Sequence, residues 1–117
     1  MSIDNRKFDL LQNRPPSERA AQKTLEGFGF TVIPQYKIKT RYSTFYVDLY
    51  LPELKLCIEI DGGYHFTPGQ RHRDKLRSAA IRRSGLHLYR LKAADVYSPR
   101  KVAAKIKYFI RRGKTAK

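Results

Sequence analysis

A single cysteine, no tryptophan and only 10 acidic residues among 117 are what this chain first presents. One thiol makes no internal disulfide, and Cys57 sits inside the run LCIEI, where a cysteine behaves as a small buried hydrophobe. With His65 and His72 it also lacks the ligand spacing of a zinc site. No apolar run approaches the roughly 20 residues of a spanning helix, and the opening MSIDNRKFDLLQNRPP has no apolar signal-peptide core. The expected location is therefore the cytoplasm (a host's, for a phage-borne gene), with no membrane partner. Internal repeats are absent, and 117 residues at 41% hydrophobic content suit one domain with a real core rather than two. The shortage of acids matters most. Set against 25 Lys and Arg it leaves a formal charge of +15, more than solubility requires, so a polyanion is implied, and nucleic acid is the commonest.

The expected organisation is an arm over residues 1–16, one domain over 17–112 and a basic tail over 113–117. The arm shows little periodicity and ends in Pro15-Pro16. A helix is expected from Ser17 as N-cap, with Ala21, Leu25 and Phe28 on one face and Gly27 and Gly29 as stop signals. The chain then turns β-like from Phe30 to Ile38, where Pro34 points to an edge strand or a bulge. In YSTFYVDLYLP, Phe45, Val47, Leu49 and Leu51 alternate with Tyr46, Asp48 and Tyr50, and LKLCIEID returns after a short turn at Pro52-Glu53 as its hairpin partner. A second helix runs from Pro68 to about Ser84, with Leu76, Ala79, Ala80 and Arg83 on one side and Gly85 as its stop. LHLYRL reads as a strand apolar on both faces, expected inside a sheet. Ser98-Pro99 opens a last helix with Val102, Ile106, Phe109 and Ile110 as its apolar stripe. The sum is an α/β fold: a mixed sheet flanked by helices.

The stretch LCIEIDGGYHF puts Glu59 and Asp61 on the chain's most hydrophobic strand, followed by two glycines and His65. If Asp48 lies across from Glu59 on the adjacent strand, the two carboxylates approach each other. That is costly without a cation, and hard oxygen ligands on a rigid sheet suit Mg²⁺, with the backbone carbonyl of Ile60 as a further ligand. Gly62 and Gly63 let the chain bring His65 back to the same corner. Metal and imidazole on so basic a domain fit phosphodiester hydrolysis.

FYVDLYLPELKLCIEIDGGYHF followed by RDKLRSAAIRRSGLHLYRL resembles the PD-(D/E)XK nuclease superfamily, and within it the small very-short-patch-repair-like (Vsr-like) endonucleases and their bacterial and phage relatives. The resemblance covers about Ser17 to Val96. It implies a restriction-endonuclease-like core of order αβββαβ with an added C-terminal helix, a DNA substrate, and Mg²⁺, for which Mn²⁺ can substitute. By the resemblance Glu18 is the helix-borne acid, Asp48 the central metal ligand, Glu59 the second strand ligand, His65 the histidine near the scissile phosphate, and Gln35 a polar residue of the first strand that meets nucleic acid. The superfamily's lysine two positions after Glu59 is replaced by Asp61. Water activation then falls to Asp61 or His65, or the site has decayed.

Plain readings stand beside these. Glu18 in a first helical turn is favoured by the helix dipole alone, strand acids can form a solvated face, and a lone histidine is usually structural. The cations concentrate in Pro68–Arg83 and after Ser98, unbalanced by acids, and Arg73 and Arg77, four apart on one helix, are the expected phosphate contacts. The leading expectation is a Mg²⁺-dependent DNA endonuclease, a nickase if it acts as a monomer. The alternative is a non-catalytic nucleic-acid-binding protein on the same scaffold, which has no use for carboxylates beside its basic surface.

Overall fold

The computed structural model describes residues 4–62 and 68–115. Helices α1 (Asn5–Gln12) and α2 (Pro16–Gly27) precede strands β1 (Ile33–Lys39), β2 (Thr44–Leu51) and β3 (Leu56–Asp61); then come α3 (Pro68–Arg83), β4 (His87–Lys92) and α4 (Pro99–Thr115). The strands form one sheet in the order β1-β2-β3-β4. The first two pairings are antiparallel and the last is parallel, as the crossover through α3 requires. This is the mixed sheet flanked by helices, with the C-terminal helix, that the sequence predicts.

Two cores cover the two faces. One joins Ala21 and Leu25 of α2 and Val102 and Ile106 of α4 to Leu49, Leu51, Leu56, Ile58 and Leu91 of the sheet. The other sets Ile81 of α3 against Ile38, Val47, Tyr50 and Cys57. Cys57 is fully buried, and burial, with the charge of Glu59 adding to it, pushes its thiol up to about 12. Ser98 caps α4 by accepting from the Lys101 N–H at 3.3 Å, and Pro99 occupies the first turn, where its missing N–H costs nothing.

Several details differ from the sequence reading. The N-terminal segment carries a helix that its weak periodicity does not announce: Asp4 accepts from the Lys7 N–H at 3.1 Å and caps α1. The same residue accepts from Lys37 Nζ at 3.0 Å and Tyr46 Oη at 2.9 Å, pinning the helix to the sheet. Helix α2 starts at Pro16 without a side-chain cap, so Ser17 lies inside its first turn. LHLYRL is an edge strand; its two apolar faces report cover on both sides, with Leu91 in one core and Leu88 packed against the other. On α3, Leu76 is 58% exposed, whereas Ser78 and Ile81 are buried. The inward stripe of α3 is partly polar, and apolar periodicity does not register it.

Asp48 marks an irregularity in the pleat. Val47 and Tyr50 belong to one core, while Leu49 and Leu51 belong to the other, so the period-2 alternation slips by one residue at Asp48. Strand β1 slips in step, with Ile33 and Tyr36 packed on the same face. The β1–β2 register is unbroken on either side, Pro34 pairing with Leu49 and Tyr36 with Val47. No residue is inserted. Instead Gln35, which that register sets opposite Asp48, takes a left-handed backbone with φ 48°, an unfavourable state for a non-glycine residue.

Candidate active site

The β2–β3 ladder pairs Leu51 with Leu56, Tyr50 with Cys57 and Leu49 with Ile58. Continued by one step it sets Asp48 opposite Glu59, and there the strands part. Backbone groups that lose ladder partners at such a fork must find others. Asp48 Oδ2 accepts from the Ile60 N–H at 2.8 Å, so a side chain of β2 replaces a carbonyl of β2. Arg77, arriving from α3, donates through Nη2 to the Tyr46 carbonyl at 2.7 Å. The fork is thus closed by one acid and one guanidinium.

Glu59 lies between them. Its side chain is 15% exposed, and its Oε1 forms an ion pair with Arg77 Nη2. That same oxygen is shut from solvent, so the Arg77 ion pair is what compensates it. Burial first, and the neighbouring charge of Asp48 second, push the Glu59 carboxyl from 4.5 up to about 8, with Arg77 opposing. Two carboxyl groups held this close share a proton, or a cation, more readily than they both ionise in isolation.

Glu18 faces the same space from the first turn of α2 and is 3% exposed. Its Oε1 accepts from Gln35 Nε2 at 2.7 Å and Arg14 Nε at 3.1 Å. Burial raises its pKa, and the charge of Asp48 adds to the effect while Gln35 and Arg14 oppose it. Gln35 is itself buried, and its strained backbone is what delivers the amide to Glu18. Arg14 also donates through Nη2 to Gln22, which fixes the guanidinium along α2.

A cleft of about 570 Å³ is lined by Glu18, Gln35, Asp48, Glu59, Ile60 and Arg77, with Arg6, Leu10 and Asn13 of the α1 segment on one wall. Glu59 and Arg77 also border a smaller cavity of about 140 Å³, shared with Asp61, Asp74 and Arg90. Six of the residues singled out from sequence therefore converge on one cleft. Asp61 is exposed at the end of β3, opposite Lys92 in the β3–β4 register. Arg73 is exposed on α3 and stands outside the cleft lining, whereas Arg77, expected to share its outward role, turns inward. His65 lies outside the described residues.

Sequence reasoning missed Arg14, Asp4 and the inward turn of Arg77. Arg14 precedes Glu18 by four residues, the spacing of a helical ion pair, and Asp4 directly before NRKF carries the chemistry of an N-cap. Arg77 gave no signal beyond its charge.

Among the described residues no three His, Cys, Asp or Glu side chains gather closely enough to hold a metal ion. What the cleft offers is a pair of hard carboxylates, one with a buried oxygen held by the Arg77 ion pair. That fits Mg²⁺ or Mn²⁺, which commonly binds through one or two carboxylates while keeping waters for the remaining positions. No described helix is long and apolar enough to cross a membrane.

Among solved structures, the chain is similar to the catalytic domain of the homing endonuclease I-Bth0305I, with a TM-score of 0.63 and 20% identity over 82% of this chain and 94% of that one. At that identity the likeness is one of fold. No curated protein matches the chain. Residues 33–109, which carry the whole sheet, Asp48, Glu59 and Arg77, match the family described as Protein of unknown function (DUF2726), and the chain belongs to that family.

Proposed function

We propose that this protein is a metal-dependent DNA endonuclease of the PD-(D/E)XK type, allied to the Vsr-like enzymes, which hydrolyses phosphodiester bonds at the β2–β3 fork. The observation that carries the reading is the Asp48–Glu59 pair: two carboxyl groups face each other in a cleft, in a chain of charge +15. Half-buried acids so placed serve no phosphate-binding surface. The fold shared with a homing endonuclease catalytic domain agrees with it.

In this reading Asp48 and Glu59 hold Mg²⁺ or Mn²⁺, with the Ile60 carbonyl as a further ligand. A cation held there stabilises charge on the phosphoryl oxygens and makes water a better nucleophile at neutral pH. Glu18, locked by Gln35 and Arg14, adds negative charge beside Asp48 and fixes the wall of the cleft against which the strand lies. Gln35 offers the remaining polar edge to DNA. Asp61 or His65 takes the proton from the attacking water, a general-base role for which either carboxylate or imidazole serves. Arg73 contacts the DNA backbone from the exposed side of α3. A monomer with one such cleft nicks a single strand, and its place is the cytoplasm.

Supercoiled plasmid incubated with Mg²⁺ or Mn²⁺ tests this directly. Relaxed circles should appear with metal, vanish with chelator and be lost in Asp48→Asn, while DNA binding by that variant survives or tightens because an anion beside a polyanion has been removed. Tight DNA binding without cleavage of duplex, single-stranded, branched or mismatched substrates with either metal would replace the enzyme by a binding module on a nuclease-like scaffold.

A further inference from the structure

The fork poses an electrostatic problem that the protein already solves without a metal. Asp48 and Glu59 face each other, and one oxygen of Asp48 is committed to the Ile60 N–H. When both groups are ionised, positive charge is needed between them. Nearby cations are otherwise engaged: Arg6 over the Tyr46 ring, Arg14 with Glu18, Lys37 with Asp4, and Arg90 with Asp74 and Ser78. The strand position two residues after Glu59 is an acid, Asp61, and supplies no positive charge. Among the described residues, the cation that reaches Glu59 is Arg77, from a different element altogether.

The way Arg77 reaches it is informative. Its Nη2 is anchored by the 2.7 Å hydrogen bond to the Tyr46 carbonyl, and the same nitrogen pairs with Glu59 Oε1. An arginine built solely to pair with a carboxylate would be expected to use its planar fork, two parallel N–H groups on two oxygens. Here a single nitrogen serves the backbone carbonyl and the carboxylate together. The carboxylate contact can be surrendered to another cation while the guanidinium stays tethered.

We propose that Arg77 is the resident counter-ion of the Asp48–Glu59 pair, and that a divalent cation binds there in competition with it, taking over Glu59 and leaving the guanidinium held by the Tyr46 carbonyl at the cleft wall. The inference rests on the metal site proposed above. The guanidinium also brings to the acid pair, from α3, a positive charge that β3 itself does not supply. Arg77 is thus a positioning residue for the acid pair in the metal-free protein.

Calorimetric titration of Mn²⁺ into the full chain at pH 8.5, where Glu59 of the parent is largely ionised, tests the competition, using Arg77→Gln, which keeps an N–H donor for the Tyr46 carbonyl but removes the charge. Arg90→Gln is the control, because it deletes a charge from the adjoining cavity without releasing Glu59. Arg77→Gln should bind Mn²⁺ about tenfold more tightly than the parent, a change of about 1.4 kcal/mol, and Arg90→Gln should stay within about threefold. If Arg77→Gln does not fold without metal, circular dichroism should show folded protein appearing as Mn²⁺ is added; a chain that stays unfolded at all Mn²⁺ concentrations overturns the proposal. Equal or weaker Mn²⁺ binding by a folded Arg77→Gln, or an equal gain in Arg90→Gln, overturns it as well. Absence of Mn²⁺ binding by parent and variant alike removes the metal site and this proposal together. A tenfold gain in a protein that never cleaves DNA sustains the competition and sinks the nuclease reading alone.

Discussion

Glu59 makes the stability of the metal-free protein depend on pH in a direction opposite to most carboxylates. Its pKa rises from 4.5 to about 8 on folding, so between those values the folded chain keeps a proton that the unfolded chain has released. The stabilisation is complete below 4.5 and is lost as pH climbs towards 8. Each pH unit in that window costs about 1.4 kcal/mol, hence nearly 3 kcal/mol between pH 5 and 7, a large share of the ~5–15 kcal/mol that holds a typical domain together. Glu18 shifts in the same direction. Asp4, lowered to about 2 by its hydrogen bonds to the Lys7 backbone, Lys37 and Tyr46, acts only below the window, since its stabilisation disappears as pH falls. Urea unfolding in chelator, followed by circular dichroism from pH 5 to 8.5, isolates Glu59 if the parent is compared with Glu59→Gln, which mimics the neutral carboxyl. The variant should match the parent near pH 5 and become progressively more stable relative to it as pH rises. Parallel profiles for the two proteins would mean that Glu59 ionises normally and that the acid pair is not strained.

Three further expectations concern other parts of the site. Glu18→Ala should destabilise the fold by about 1–3 kcal/mol, because it strands the buried Gln35 amide and the Arg14 guanidinium, and Glu18→Gln should recover part of the loss; urea titration measures both. Replacing Arg73 with Ala should weaken binding to all DNA sequences alike and flatten the salt dependence by about one in log-log slope. Arg77→Ala should flatten it less in chelator, since that side chain is already spent on Glu59; fluorescence anisotropy at several salt concentrations compares them. Leu49→Ala, at a fully buried position, should cost about 2–5 kcal/mol, and thermal unfolding would register it.

Much of this was legible in the sequence because alternation and stop signals are local. The hairpin of β2 and β3 follows from period-2 apolar residues on both sides of Pro52, and Gly85, with φ 82°, ends α3 where its glycine announces it. The facing of Asp48 and Glu59 was also accessible, since a hairpin of known turn length fixes its register. Other features were not. Helix α1 carries no buried residue, so it leaves no apolar stripe, and its attachment through Asp4 is a matter of tertiary geometry. The inward face of α3 presents Arg77 and Ser78 as well as Ile81, and a periodicity search for apolar residues passes over it. The slip of the pleat at Asp48 is invisible in a pattern that alternates without a break from Phe45 to Leu51.

That slip has a mechanical consequence. Because Val47 and Leu49 flank Asp48 yet lie in opposite cores, the carboxylate is gripped at a seam between two independently packed halves, one bearing Glu18 through α2 and the other bearing Arg77 through α3. Any small sliding of one helical layer against the other changes the spacing of the acids and the guanidinium together. Substitutions as remote as Leu25 beneath α2 or Ile81 beneath α3 are therefore expected to retune the cleft without touching a single residue that lines it.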